Sequence, residues 1–193
     1  MTTTPSAPTA PGAAKALPTK DRLILAAATL FRTRGYHGVG MADILAEAKA
    51  PKGSLYHHFP NGKSDLALAA ATWASDQMLR LIAVSFDGAD SFEDGAKTVC
   101  HKLAKLFEVT GWDTCPIAAT LFEGPDNTEF RGHAAHIYEG WITEVFDHAV
   151  RLGLSEPDAR RKAEHLFVVI EGGWTLSRAR RNSDVLRNLS SLV

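Results

Sequence analysis

The chain contains 193 residues, of which 45% are hydrophobic and 22% charged, and its formal net charge is −1. This composition is typical of a folded protein, and no apolar run approaches the roughly 20 residues that span a bilayer, which excludes a membrane protein. The two cysteines exclude a disulfide scaffold and lack the spacing of a zinc site, and without a secretory signal we expect a cytoplasmic protein.

The net charge conceals an uneven distribution along the chain. Residues 1–64 carry eight Lys/Arg and three Asp/Glu, a net charge of +5, whereas residues 65–193 carry −6. The pI near 6.7 argues against a nucleic-acid partner when it is taken alone, because such proteins usually present a basic surface. The distribution instead predicts that the first third meets a polyanion, the alternative being ordinary variation in surface charge.

The first elements in chain order are a tail and a helix. Residues 1–18 hold four of the nine prolines among small polar side chains, a composition that predicts a disordered tail. Thr19 is the expected N-cap of the first helix, and Gly35 is the expected stop signal. Between them, apolar residues recur at helical spacing at Leu23, Ala27, Leu30 and Phe31.

Two short helices joined by a tight turn come next. Met41 to Ala48 has one apolar face, Lys49 and Ala50 form the turn, and Pro51 suits the first turn of a third helix that ends near His58. In this third helix Leu55 and Phe59 lie four residues apart and point inward. The pattern predicts a helix-turn-helix, in which the second of the two helices stands free to enter a DNA major groove.

The remaining chain also has helical patterns throughout. Ser91 and Ser183 are expected N-caps, and Gly111 and Gly153 are expected C-terminal stops. No stretch alternates with a period of two residues, so we predict an all-α protein. The expected helices cover residues 63–85, 92–110, 116–123, 128–152, 157–181 and 184–192.

Several motifs in the first third resemble the tetracycline-repressor (TetR) family of bacterial transcriptional regulators. The similarity covers about 45 residues and rests on Ala26–Phe31, the Gly35-Tyr36 pair, Asp43-Ile44 and above all KGSLYHHF at 52–59. The PNGK stretch and Cys115-Pro116, followed by an apolar run, resemble the subgroup of lincomycin-resistance regulators. The resemblance implies a three-helix DNA-binding domain over 19–64 and a helical ligand-binding and dimerisation domain over 65–193.

The resemblance also suggests which residues meet DNA, although the sequence departs from the family at two points. Lys49 stands where the family usually has Gly, and Gly40-Met41 replaces the usual hydroxyl residue that begins the second helix. We expect phosphate contacts from Lys52, Lys63 and Tyr56, close approach at Gly53, and base contacts from His57. The full predicted DNA-binding set is Lys49, Pro51, Lys52, Gly53, Ser54, Tyr56, His57 and Lys63.

The second domain carries two further predictions. Because the last two helices of this family form a dimer interface, we assign residues 157–192 to dimerisation, in particular Leu166, Phe167, Ile170, Gly173 and Trp174. The adjacent pair Gly172-Gly173 indicates close approach of another helix or a kink. The middle helices of the family enclose a ligand cavity, and we expect its wall to include Trp112, Phe122 and Trp141.

These observations predict a homodimeric repressor that binds double-stranded operator DNA of pseudo-palindromic sequence and responds to a small apolar effector. A constitutive DNA binder and an activator of the same family remain alternatives. An enzyme is not expected, since no acid, base and nucleophile come together in the sequence. His133 and His136 have spacing for a metal, but no further ligand is evident, so no metal or cofactor is predicted.

Overall fold

A computed structural model describes residues 17–111, 113, 115–126 and 128–189. The predicted all-α fold is confirmed, because the described residues form helices and turns and contain no strand. The α-helices are α1 Thr19–Arg34, α2 Met41–Glu47, α3 Lys52–His58, α4 Lys63–Phe86, α5 Phe92–Thr110, α6 Thr128–Arg151, α7 Glu156–Arg180 and α8 Asp184–Arg187. The predicted tail over 1–18 lies almost entirely outside the described residues.

Helices α1 to α3 form a small unit, which we call the head. Leu23 and Phe31 of α1, Ile44 of α2, and Leu55 of α3 are fully buried, and Phe59 just after α3 is 3% exposed. The inward orientation predicted for Leu55 and Phe59 is therefore confirmed. Because α2 and α3 are only seven residues long, their stability depends on this shared core rather than on their own hydrogen bonds.

Helices α4 to α8 form a larger unit, which we call the body. Helix α4 packs against α1, α5 and α6, while α6 packs along α7. The body's core combines aliphatic side chains with large aromatic ones, which include Phe86, Phe92, Phe107, Phe130 and Trp141. In the part of the chain that the structure covers, every helix is too short or too polar to cross a membrane.

Local signals explain most helix ends. The Ser91 hydroxyl accepts a hydrogen bond from the Asp94 N–H over 3.1 Å, which confirms the predicted N-cap of α5. Gly111 and Gly153 have φ of +83° and +94° and follow α5 and α6, as expected for stop residues. Thr19 is not the N-cap but the first residue of α1, because the carbonyl of Pro18 already accepts the Arg22 N–H over 3.0 Å.

The predicted helix over 116–123 has an unusual form. Residues 116 and 117 are α-helical, and Ala118–Phe122 form a π-helical turn, in which each backbone bond spans one residue more than in an α-helix. The turn lies between α4 and α6 and also contacts α1. It thus connects the body to the head.

Candidate nucleic-acid interface and internal cavity

The turn between α2 and α3 fixes the position of α3. Lys49 adopts a left-handed backbone with φ of +50°, a conformation that glycine adopts without steric cost. Arg22 of α1 spans this turn, because its Nε donates to the Ala48 carbonyl over 3.0 Å and a terminal nitrogen donates to the Lys49 carbonyl over 3.4 Å. Arg22 was not predicted to have this role, because in the sequence it is only a basic residue on the polar face of α1.

The predicted DNA-binding residues lie mainly on the outer side of the turn and of α3. Six are exposed, namely Lys49, Pro51, Lys52, Gly53, Tyr56 and His57, and Ser54 is half-buried. A side chain added at Gly53 would meet no atom within 4 Å, so this end of α3 leaves room for a close approach by another molecule. Small, basic and aromatic groups thus share one accessible surface, which we call the α3 face.

Lys63 lies apart from the other basic residues of the set. It begins α4, is half-buried, and its ammonium lies 4.3 Å from the centre of the Tyr36 ring. Desolvation lowers the pKa of Lys63, while the ring face attracts its charge. A phosphate contact by Lys63 stays a prediction, and it requires the side chain to reach past Tyr36.

A cavity of about 420 Å³ lies between the head and the body. Its wall is mostly apolar and is formed by residues from α1, α4, α5, α6, α7 and the segment before the π-helical turn. Trp141 lines this cavity and donates its indole N–H to Ser75 over 3.0 Å, while its contact with a ligand stays a prediction. A mostly apolar cavity of this volume, with a few polar groups in its wall, is typical of a small-molecule site.

The other two predicted cavity residues have different outcomes. Phe122 is 60% exposed and stacks on Tyr138, with ring centres 6.3 Å apart, so its assignment to the cavity wall is wrong. The π-helical turn directs this side chain away from the cavity, which periodicity alone does not predict. Trp112 lies outside the described residues.

Besides the packing of α1 on α4, Arg32 and Tyr36 make three contacts between the head and the body. Arg32 of α1 forms an ion pair with Asp113, and both residues line the cavity. Tyr36, just after α1, donates its backbone N–H to the Ala119 carbonyl over 3.0 Å. Its ring meets Phe130 edge to face at a centroid distance of 5.8 Å. We call these contacts the head–body junction.

A buried polar cluster lies beside this junction. The Cys115 thiol donates to a Glu171 carboxylate oxygen over 3.3 Å, and the Tyr138 hydroxyl lies 3.9 Å from the same sulfur. Burial raises the pKa of the Cys115 thiol to about 12 and also raises the pKa values of Glu171 and Tyr138. Cys100 is buried as well, and the same cause raises its pKa to about 11.

The residues predicted to form the dimer interface are buried within the core of the single chain. Leu166, Phe167, Ile170 and Trp174 are at most 6% exposed, so they pack within their own chain and leave little surface for a second chain. A Cβ at Gly173 would lie 2.5 Å from a methyl group of Leu189, so this glycine admits the segment after α8 of the same chain. The inner face of α7 therefore belongs to the body's own core.

The outer face of α7 presents a second row of small and apolar residues. Val168 and Leu176 are 70% and 39% exposed, and Gly172 lies between them at four-residue spacing. A Cβ at Gly172 would meet no atom within 4 Å. We call Val168, Gly172, Leu176 and the exposed Ala179 the α7 stripe.

Two protein families match separate parts of the chain. "Bacterial regulatory proteins, tetR family" matches residues 23–70, and "Transcriptional regulator LmrA/YxaF-like, C-terminal domain" matches residues 93–191. The first match contains most of the head and the start of α4, and the second contains most of the body. They confirm both resemblances that the motifs indicated.

Individual relatives cover nearly the whole chain. The HTH-type transcriptional regulator LmrA of Bacillus subtilis is 30% identical over 90% of this chain and 94% of its own length. The HTH-type transcriptional repressor DhaR of Mycobacterium sp. is 24% identical over 91% and 90% of the two chains. A crystal structure of a TetR regulator from Legionella pneumophila superposes with a TM-score of 0.78 at 19% identity, covering 93% and 97% of the chains.

Proposed function

The chain belongs to the TetR family of DNA-binding transcriptional regulators, and we propose that it is a ligand-responsive repressor that acts as a homodimer on a pseudo-palindromic operator. The α3 face is the observation that carries this proposal. It presents Lys52, Tyr56 and His57 on a helix whose opposite side is anchored by Leu55. Basic and hydroxyl groups suit phosphates, while a histidine on a recognition helix can reach base edges.

A dimer follows from the small size of the reading element. Because α3 has only seven residues, it contacts few base pairs, and two copies related by a two-fold axis double the contacts. We place the dimer contact on the α7 stripe, since Gly172 leaves room for close approach of a second helix and Val168 and Leu176 supply apolar area. This stripe lies within residues 157–192, the region that the sequence assigned to dimerisation.

The cavity supports the response to an effector. Its wall includes Thr29 and Arg32 of the head together with residues of the body, so a bound molecule touches both units. For a ligand to release DNA, it must bind the DNA-free arrangement more tightly than the DNA-bound one. The similarity to DhaR, which is a transcriptional repressor, favours the repressor role.

Selection of bound sequences from a random duplex library tests this proposal. We expect an inverted repeat with half-sites separated by about one helical turn, or a multiple of it, bound by two protomers. Lys52→Ala should weaken binding to every duplex and lower the slope of log affinity against log salt by about one. Lys97→Ala, which removes an exposed lysine of the body, is the matched control and should leave both quantities unchanged.

The outcomes of the selection separate the alternatives. An inverted repeat bound by a dimer supports the proposal, whereas the absence of any enriched sequence contradicts it. Enrichment of a single half-site bound by one protomer contradicts the dimer on the α7 stripe. A gel-shift measurement of protomers per duplex distinguishes these results.

A further inference from the structure

The cavity wall has a polar end that is formed across the boundary between the head and the body. Arg32 is the only basic residue among the described lining residues, and Asp113 is the only acidic one. They form an ion pair in which both side chains are shielded, with 24% and 16% of their surfaces exposed. The attraction is stronger at such a site than at an open surface.

This polar end has more hydrogen-bond donors than acceptors. A guanidinium has five N–H groups, and in the described part of the chain Arg32 donates only from one terminal nitrogen to Asp113. Asp113 already has two roles, since its carboxylate pairs with Arg32 and its carbonyl accepts the Trp174 indole N–H over 3.0 Å. The remaining N–H groups of Arg32 can therefore take a further acceptor, and a carboxylate fits an arginine fork best because it accepts two parallel hydrogen bonds.

The remaining wall is suited to a flat apolar group. Trp73, Trp141 and Trp174 line the cavity together with Met78, Leu81 and Leu103. The indole N–H groups of Trp141 and Trp174 are satisfied within the protein, so these two side chains offer their ring surfaces. Aromatic ligands stack on such surfaces and gain more than their buried area alone provides.

We propose that the effector is an aromatic carboxylate whose carboxyl group takes the place of Asp113 on Arg32, while its ring system lies among the tryptophans. This inference rests on the proposed function and specifies its effector class. The exchange leaves the charge of Arg32 paired, and it requires the displaced Asp113 carboxylate to turn towards solvent, because a shielded unpaired charge is costly. It also breaks the only ion pair seen between α1 and the body in the described residues.

Loss of this ion pair gives the effector a direct route to the head. Arg32 lies in the last turn of α1, two residues before its end, and Tyr36 follows with the other contacts of the head–body junction. Once Asp113 is displaced, α1 is held to the body by the Tyr36 contacts and by its packing on α4. The orientation of α3 then changes relative to the body, and with it the distance between the two reading helices of a dimer.

Binding of 2-naphthoate, measured by calorimetry with 2-naphthamide as the neutral counterpart, tests the ligand class. Arg32→Met should weaken naphthoate binding by about tenfold or more, because it removes a charged hydrogen bond. Arg34→Met lies on the same helix outside the cavity wall and serves as the matched control, with unchanged binding expected. Naphthamide should bind more weakly than naphthoate and should be insensitive to Arg32→Met.

A second variant keeps the test decisive if Arg32→Met is poorly folded. Asp113→Asn removes the competing carboxylate, so naphthoate should bind it more tightly than the wild type. Absence of naphthoate binding, equal affinity of the wild type and well-folded Arg32→Met, or weaker binding by Asp113→Asn overturns the inference.

The link to DNA is measured separately on the selected operator. Naphthoate should lower the operator affinity of the wild type, and operator should lower the affinity for naphthoate by the same factor. If operator binding is intact but unaffected by naphthoate, the effector inference fails while the DNA-binding proposal stands. If no operator is bound even without naphthoate, the proposed function itself fails.

Discussion

The head carries its proposed functional groups on the outer side of α3, whereas the body carries them on the inner sides of its helices. In the head, α3 directs Leu55 into the core and offers Lys52, Tyr56 and His57 to the outside. In the body, the groups assigned to effector binding line a partly open cavity, in which Trp141 is 2% exposed and Trp73 is 37% exposed. One region meets its partner on a surface, and the other takes it up between helices.

This difference determines how each region responds to substitution. On the α3 face a side chain can be removed with little loss of stability, because few of its atoms are packed. Around the cavity, removal of a side chain alters both the packing of the core and the shape of the ligand site. Stability and binding should therefore separate on the α3 face and remain coupled around the cavity.

The largest effect is expected from the core of the head. Leu55→Ala removes a fully buried side chain and should lower the free energy of unfolding by about 2–5 kcal/mol. Operator binding should be lost as well, although the α3 face keeps all its side chains. Chemical denaturation and gel shifts measure both, and Val109→Ala, at a site that is 79% exposed, is the control. A loss of stability no greater than the control's would contradict the packing described for α3.

The two adjacent glycines of α7 test the body in a matched pair. Gly173→Ala should destabilise the protein by about 1–3 kcal/mol, because the new methyl group collides with Leu189. Gly172→Ala has free space within the chain and should stabilise the helix by up to about 1 kcal/mol. On the proposed dimer contact, Gly172→Ala should nevertheless weaken dimerisation in analytical ultracentrifugation. Equal stability of the two variants would contradict the different environments assigned to them.

A smaller effect is expected at the turn before α3. Lys49→Gly relieves the left-handed backbone and should stabilise the head by about 1 kcal/mol or less, since glycine also gains entropy in the unfolded chain. Lys49→Ala keeps the strained φ and removes only the charge. Thermal melts should therefore rank Gly above Ala, while salt-dependent gel shifts show equal losses of DNA affinity in both. Unequal losses would indicate that the turn's conformation, rather than the charge, matters for DNA.

The smallest effect concerns pH and the buried cluster of Cys115, Tyr138 and Glu171. Because burial raises the pKa of Glu171 above its unfolded value, the unfolded chain ionises first and the native state loses stability as pH rises between the two values. Glu171→Gln removes this dependence and should stabilise the protein more at about pH 8 than at about pH 5. Melting temperatures at the two pH values measure it, and the reverse order would contradict the assignment.

The same contrast explains which features the sequence predicts. The head was predictable because its motif sets the core and the exposed positions together, down to the turn at Lys49. Helix α7 was not, because it has apolar residues on two faces, and periodicity does not tell the inner Leu166 and Ile170 from the outer Val168.

Long-range contacts account for the other misses. The pairing of Arg32 with Asp113 joins residues 81 positions apart, and neither carries a local signal of a partner. Phe122 was predicted to line the cavity, but it is the last residue of the π-helical turn, in which side-chain spacing differs from that of an α-helix. The glycine pair predicted close approach of another helix or a kink. The segment that packs closely on Gly173 contains Leu189 of the same chain.

The central claim is that the exposed side of α3 reads DNA, and its most direct test compares the selected operator with a scrambled duplex. His57→Ala should reduce affinity for the operator while leaving the scrambled duplex nearly unchanged. Lys52→Ala should weaken both by the same factor, since phosphates are common to all sequences. Affinities of both variants equal to those of the wild type on both duplexes would contradict the claim.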